Sequence, residues 1–255
     1  MSIHPTAVIG KTARLAMGVT VGPYVVIEDD VDIGENTEVR AHAVIKRFTS
    51  LGAGNIVHEG AILGGEPQDL AFDGSESRLI IGNRNSIREN VTIHRATKPG
   101  SGTVIGSDCF LRAGAHVAHD CHLGYGVILA NNVALAGHIK IGDRAFLSGG
   151  VVVHQFCRIG RIAMIGGNSK IVQDCLPFIT TDGVPGRACG LNLVGLRRAR
   201  IHNTDINILK KAYRLLLRSG LLLEDAVAEI QAFDNPLTTE LADFVSGCAR
   251  GFCHE

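Results

Sequence analysis

Tryptophan is absent from this sequence, and tyrosine and methionine number only three each, so the core is not built on wide rings. No charge of either sign is in excess, because Lys+Arg and Asp+Glu both number 25. That balance removes the electrostatic case for nucleic acid or an anionic membrane as the main partner. No stretch approaches the uninterrupted apolar length of a membrane span, and MSIHPTAVIG at the N-terminus lacks a basic segment leading into a long apolar run. The expectation is a soluble, cytoplasmic protein without membrane insertion. The seven cysteines are odd in number and contain no CxxC pair. Cys109, Cys121 and Cys157 recur in one phase of the repeat described next, where small residues gather. They read as small buried hydrophobes in a reducing compartment, not as disulfides or zinc ligands. No Ser nucleophile elbow, Walker loop or GxGxxG fingerprint occurs.

What the chain has instead is glycine, 31 of them, and a beat of six. From Ile3 to Ile171 every sixth residue is Ile, Leu or Val, with Asp69, Ser75 and Pro99 as the exceptions. Period six fits neither an amphipathic helix nor an alternating strand. It fits short parallel strands wound into a coil, one aliphatic residue per flat face pointing inward, the coils stacking on a shared core. Glycine often follows the aliphatic residue, as at Gly10, Gly34, Gly106 and Gly160, which predicts corners there that need permissive backbone angles. An irregular β-sandwich is the alternative, but it would need strand lengths and turns that vary.

Two segments leave the beat, 64–78 and 95–103. Both are polar and rich in Gly and Pro, and the beat resumes in phase after each. They read as loops thrown outward from a rigid scaffold, where binding residues commonly sit. The repeat occupies residues 1–172. Residues 173–190, with Pro177 and Pro185, read as an exit linker. From 191 to 255 the apolar spacing turns helical, with Asn235-Pro236 as a break, and predicts a helical cap over the open coil end.

His116, His119 and His122 lie three apart, with Asp120 beside the middle one. On a six-residue beat, residues eighteen apart stack on one face, so His138 and His154 follow one and two coils on. A neutral imidazole in this cluster suits a general base that takes a proton from a substrate hydroxyl, with Asp120 fixing its tautomer. Two readings compete with this one: histidines scattered on a polar solenoid surface, and a zinc site of three histidines. The expectation is no metal.

IHRAT (Ile93–Thr97), HVAHDCHLG (His116–Gly124), ILANNVALAGH (Ile128–His138) and VHQFCRIG (Val153–Gly160) resemble the UDP-N-acetylglucosamine O-acyltransferase family of lipid A biosynthesis. GGEPQDL at the first loop and GLNLVGLRR after the linker extend the resemblance over nearly the whole chain. It implies a left-handed parallel β-helix of hexapeptide repeats with a C-terminal α-helical cap, assembled as a homotrimer with active sites between subunits. It also implies transfer of a 3-hydroxyacyl group from acyl carrier protein to the glucosamine 3-hydroxyl of UDP-N-acetylglucosamine. No cofactor is expected, since the acyl thioester arrives on the carrier's phosphopantetheine. Residue by residue, the resemblance makes His119 the base, Asp120 its partner and the Gly137 amide the oxyanion donor. His116, His138, His154 and Gln155 line the donor and acceptor clefts, and Asp69 meets the sugar. Gly167 sets acyl length, and Asn192 and Arg198 reach the nucleotide and diphosphate. For Arg198 the chemistry agrees independently, because guanidinium suits bidentate phosphate binding. The basic side of the first long helix (Lys210, Lys211, Arg214, Arg218) suits an acidic carrier.

The sequence departs from the family pattern at Ala71, where Lys is usual, and at Val194 and Ala199, where Glu and a second Arg are common. All three lie on the acceptor side. They keep open an N-acyltransferase acting on a 3-amino or other UDP-sugar. A non-catalytic trimeric binding scaffold is the alternative from another class.

Overall fold

Two inward positions in each hexapeptide build the core. In the computed structural model, which describes residues 2–255, every Ile, Leu or Val of the beat from Val21 to Ile171 lies in one buried cluster. The second inward position falls two residues earlier and holds small side chains such as Val19, Ala43, Ala115 and Val133. Cys109, Cys121 and Cys157 occupy it too, and burial pushes their thiols up to about 11, about 12 and about 11. All seven cysteines are free. Each fully buried aliphatic contributes about 1.5–3 kcal/mol of burial, so the stacked coils share one continuous source of stability.

The strands are mostly two residues long, because the chain must turn at every sixth residue, and they assemble into three sheets of eleven, nine and eight strands. Each coil adds one parallel strand to each sheet. Cα partners stand eighteen residues apart along most of the coil, as Ser2 with Thr20 and Phe110 with Ile128. Across the first insertion the step grows to Ile56 with Ser86, and across the second to Ser86 with Phe110. Both insertions thus add whole multiples of six. Both also leave from the same edge, between the second sheet (Ile62–Gly65, Thr92–His94) and the third (Arg78–Ile81, Gly102–Ile105).

The corners differ from expectation. The left-handed backbone falls three residues after the aliphatic, at Asp30, Asn36, Asn90, Asp120, Asn132, His138 and Asn168 among others. Asn and Asp tolerate this conformation best of the residues other than Gly. The glycines directly after the aliphatic, Gly64 apart, have no such φ; they allow close approach instead. A Cβ on Gly106 would lie 2.4 Å from the Gly124 carbonyl oxygen of the next coil, and one on Gly160 would lie 2.3 Å from the Pro177 nitrogen.

Within 173–190 the chain continues as structure. Ile179–Asp182 pairs parallel with the first sheet, and Arg187–Leu191 pairs antiparallel with it as a hairpin. Four helices follow: α1 (Leu193–Arg198), α2 (Asn203–Arg218), α3 (Leu223–Gln231) and α4 (Pro236–Ser246). Leu196 of α1 and Ile206 and Leu209 of α2 pack on Ile162 and Phe178, closing the coil end. Arg161 pairs with Glu240, and Arg158 Nη2 donates to the Phe244 carbonyl at 2.9 Å, which pins α4 to the third sheet. At the opposite end the first coil is uncovered, with Ile3 and Val8 exposed. No helix among the described residues is long and apolar enough to cross a membrane.

The residue before each beat residue points outward, and the three sheets differ in what they show. The first presents Ile56, Phe110, Ile128, Phe146 and Met164, and the second Val26, Val44, Ile62 and Val152. The third is mostly polar, with Arg14, Asp32, Ser50, His122, Lys140 and Arg158 beside Ile80 and Val104.

Candidate active site

Stacking by eighteen puts Asp120, His138 and Phe156 at one corner position on three successive coils, and His119, Gly137 and Gln155 beside them. All sit at the edge between the second and third sheets, below the two insertions. Asp120 and His138 both occupy the left-handed corner position. His119 Nδ1 donates to Asp120 Oδ2 at 2.9 Å, in a pair whose side chains are only 11% and 13% exposed. The same oxygen accepts from Thr97 Oγ1 at 2.8 Å and from the Thr97 N–H at 3.1 Å, and His138 Nε2 lies 3.8 Å away. Burial pulls the Asp120 carboxyl upward. Hydrogen bonds from His119 and Thr97, with His138 nearby, outweigh it and hold the group below the usual carboxylate range. With Nδ1–H committed to Asp120, the lone pair of a neutral His119 is on Nε2, which has no partner among the described residues.

Gly137 lies against the imidazole. A Cβ there would be 2.5 Å from His119 Cε1 and 2.8 Å from Nε2. Its N–H donates to no acceptor among the described residues, while its carbonyl accepts from Phe156 N at 3.1 Å. His138 meets the His119 ring edge to face at 5.2 Å and stacks on Phe156 at 4.7 Å. His116 projects from the second sheet next to this edge, hydrogen-bonded through Nδ1 to Thr92 Oγ1 at 2.7 Å. Its ring meets that of His94, and burial lowers both, His94 to about 4. His122 points from the third sheet into a different cleft, beside Lys140 and Arg158. The three histidines of the sequence cluster therefore do not converge. His119, Asp120 and His138 do, with ligand atoms within 4.8 Å of one another, as do His58, Glu59 and Glu89 on another edge.

The remaining candidates are distributed. His154 and Gln155 are exposed on the same edge as His119, and His154 Nδ1 donates to the Gln155 carbonyl at 3.1 Å. Asp69 is exposed in the first loop, where its Oδ1 accepts from Ala71 N at 2.9 Å. Gly167 sits exposed at the other edge of the second sheet, with only Gly149 O at 3.5 Å and Ser148 Cβ at 3.9 Å near a built Cβ. Asn192 caps α1, its Oδ1 accepting from Gly195 N at 2.9 Å and its Nδ2 donating to Ile162 O at 2.8 Å. Asn192 and Arg198 line a cleft of about 710 Å³ over the first sheet, with Arg144, Phe146, Val194 and Ala199 in its walls. That cleft and the His119 edge lie on different faces of one chain, so a single subunit does not bring them together. Thr97, His94 and Phe156 are absent from the sequence candidates. The second insertion places Thr97 23 residues from Asp120 instead of eighteen, so counting by coils does not find it.

Comparison with known proteins extends these findings. Residues 174–253 match the family model "Udp N-acetylglucosamine O-acyltransferase; Domain 2", and residues 12–47 and 102–137 match "Bacterial transferase hexapeptide (six repeats)". The acyl-[acyl-carrier-protein]–UDP-N-acetylglucosamine O-acyltransferase of Gloeothece citriformis is 47% identical over 95% of this chain and 88% of its own. That of Agrobacterium fabrum is 41% identical over 95% of this chain and 91% of its own. The crystal structure of a UDP-N-acetylglucosamine acyltransferase from Bacteroides fragilis superposes with a TM-score of 0.96 at 38% identity, covering 98% of this chain and 99% of that one. The architecture is that of the left-handed parallel β-helix of hexapeptide repeats with a small C-terminal helical region.

Proposed function

This chain belongs to the UDP-N-acetylglucosamine O-acyltransferase family, and we propose that it moves a 3-hydroxyacyl group from acyl carrier protein to the glucosamine 3-hydroxyl of UDP-N-acetylglucosamine, the first step of lipid A biosynthesis. The observation that carries the reading is the His119–Asp120 pair, with Nε2 free beside the unpaired Gly137 N–H. Nε2 takes the proton of the sugar hydroxyl as its oxygen attacks the thioester carbonyl carbon. The Gly137 N–H holds the oxyanion that forms, and preorganised donors of this kind are worth several kcal/mol. As the C–S bond breaks, the imidazolium returns the proton to the departing phosphopantetheine sulfur. Asp120 steadies the positive ring in between. His116, His138, His154 and Gln155 line the donor and acceptor clefts around this edge, and Asp69 contacts the sugar. Arg198 and Asn192 serve the nucleotide and diphosphate, and Gly167 leaves room for the end of the acyl chain.

The nucleotide residues lie on another face from His119, which supports a site completed by a neighbouring subunit. The more apolar outer faces of the first and second sheets, against a mostly polar third, suit a homotrimer packed first sheet to second. The protein is proposed to work in the cytoplasm without metal or cofactor, the acyl group being delivered by the carrier. Lys210, Lys211 and Arg214 on α2 offer that acidic partner a basic face. An N-acyltransferase acting on a 3-amino sugar and a non-catalytic scaffold are both less well supported than O-acylation, because four relatives matching at least 90% of this chain are named O-acyltransferases.

The test is a mass-spectrometric transfer assay with 3-hydroxyacyl carrier protein, offering UDP-N-acetylglucosamine and its 3-amino analogue in competition. Ester product from the unmodified protein, lost in His119→Ala, is the expected result. Amide product alone would mean that Ala71, Val194 and Ala199 mark a rebuilt acceptor site, and transfer undiminished by His119→Ala would overturn the assignment of the base.

A further inference from the structure

The second insertion does more than decorate the coil. Its backbone and side chain at Thr97 supply two of the three hydrogen bonds received by Asp120 Oδ2, at 3.1 and 2.8 Å. The far end of the same insertion supplies Thr103, fully buried, whose Oγ1 accepts from the Asp120 N–H at 2.8 Å. The Asp120 side chain and backbone are thus both held from this loop, although Asp120 itself sits on the next coil. The insertion is in turn bound to the first one. Arg95 is 3% exposed and donates from Nη1 to the Ser75 carbonyl at 3.0 Å and from Nη2 to Glu66 at 3.3 Å. Its guanidinium also lies over the Phe72 ring at 5.1 Å. Ser75 Oγ donates to the Thr97 carbonyl at 3.4 Å, Gly100 N donates to the Glu76 carbonyl at 3.0 Å, and Ser77 Oγ bonds to the Ala96 carbonyl.

We propose that Thr97 is a positioning residue for the His119–Asp120 pair, and that the Arg95–Thr97 segment ties the order of the first loop to the placement of the base. The inference rests on the acyl-transfer reading above. A carboxylate held by several donors stays charged and cannot rotate, so its free oxygen does not compete for the imidazole. Asp120 must carry its full charge, in the plane of the His119 ring, when that ring turns positive. Thr97 sets that plane without touching the substrate. Because Ser75 donates to the Thr97 carbonyl and Arg95 holds the Ser75 carbonyl, disorder in the first loop reaches the base through the Arg95–Thr97 segment.

The experiment is a double-mutant cycle on the full-length protein in the transfer assay, with kcat and acceptor KM measured separately. Thr97→Val keeps the backbone bond and removes the hydroxyl one. The expected result is a kcat about ten- to a hundredfold lower, as for loss of a charge-assisted hydrogen bond, with KM within about twofold. Thr97→Ser is expected to restore kcat to within about threefold. In an Asp120→Asn background the Thr97→Val change is expected to lower kcat by less than about twofold further, because its target carboxylate is gone. Thermal melts confirm folding, and Thr97→Ala replaces Thr97→Val if the valine does not fold. Wild-type kcat in Thr97→Val, a rise in KM alone, or a full multiplicative loss on top of Asp120→Asn would each overturn the proposal. Absence of transfer by the unmodified protein would instead strike the acyl-transfer reading, which the same assay shows before any variant is compared.

Discussion

Replacing Gly137 by alanine is the sharpest probe of the proposed site. The added methyl would lie 2.5 Å from His119 Cε1, 2.8 Å from Nε2 and 3.1 Å from Nδ1. Ordinary carbon contacts begin near 3.5 Å, so the ring must withdraw by about 1 Å. Gly137 is not among the left-handed residues, so alanine is compatible with its backbone and the coil has no reason to unfold. The ring, however, is held to Asp120 at 2.9 Å, and a shift of 1 Å breaks that hydrogen bond or misdirects Nε2. Misplacement on this scale costs about a hundredfold in rate, or about 2.7 kcal/mol. The same methyl also crowds the amide proposed to hold the oxyanion. The assay is steady-state transfer beside a thermal melt: kcat is expected to fall about a hundredfold with the melting temperature nearly unchanged. A Gly137→Ala protein within about threefold of wild type would refute the placement of both the base and the oxyanion donor.

Two other outcomes follow from the geometry. A Cβ on Gly167 would meet nothing nearer than Gly149 O at 3.5 Å, so Gly167→Met is expected to fold normally and to shift donor preference toward shorter acyl chains. Each buried methylene is worth about 0.8 kcal/mol, so denying space to two of them should reverse preference by more than tenfold between carriers two carbons apart. His94 makes stability depend on pH. Burial, aided by His116 and His119, lowers its imidazole from 6.5 to about 4. Above pH 6.5 neither state is protonated and no penalty exists. Between 6.5 and 4 the unfolded chain takes a proton that the folded chain refuses, so stability falls with pH by about 3 kcal/mol in all. His94→Gln is expected to flatten that loss in urea melts at each pH, and parallel curves for the two proteins would contradict the burial argument.

The coil was legible because its cause is local and periodic. A residue that must face inward six positions after the last leaves a mark in any stretch of sequence, and the two insertions kept that phase. Glycine illustrates the limit of such reading. The residue after each aliphatic marked a corner correctly, but for the wrong reason: Gly106 and Gly160 make room for the next coil's backbone, and the left-handed turn belongs to residues such as Asp120 and Asn132 three positions after the aliphatic. That distinction depends on the distance between coils, which no single hexapeptide contains.

The candidate site divides the same way. Stacking by eighteen placed His138 and His154 one and two coils beyond the His119–Asp120 pair, since a regular coil turns sequence separation into position; that Phe156 shares the corner of Asp120 and His138 came from the structure. Regularity also showed that His122 faces another sheet from His116. What sequence separation could not supply was the content of the irregular loops. Thr97 reaches Asp120 and Arg95 fastens the first loop only because both insertions leave from one edge and fold against each other there. The resemblance made Asn192 a nucleotide contact; what the structure shows is its side chain capping α1. By itself, then, the sequence determined the repeat, its core and the order of residues along the candidate edge, because those follow from a local period. Tertiary structure alone decided which side chains the loops bring to Asp120 and that Arg198 and His119 occupy separate faces of one subunit, because those depend on how non-repeating segments pack in space.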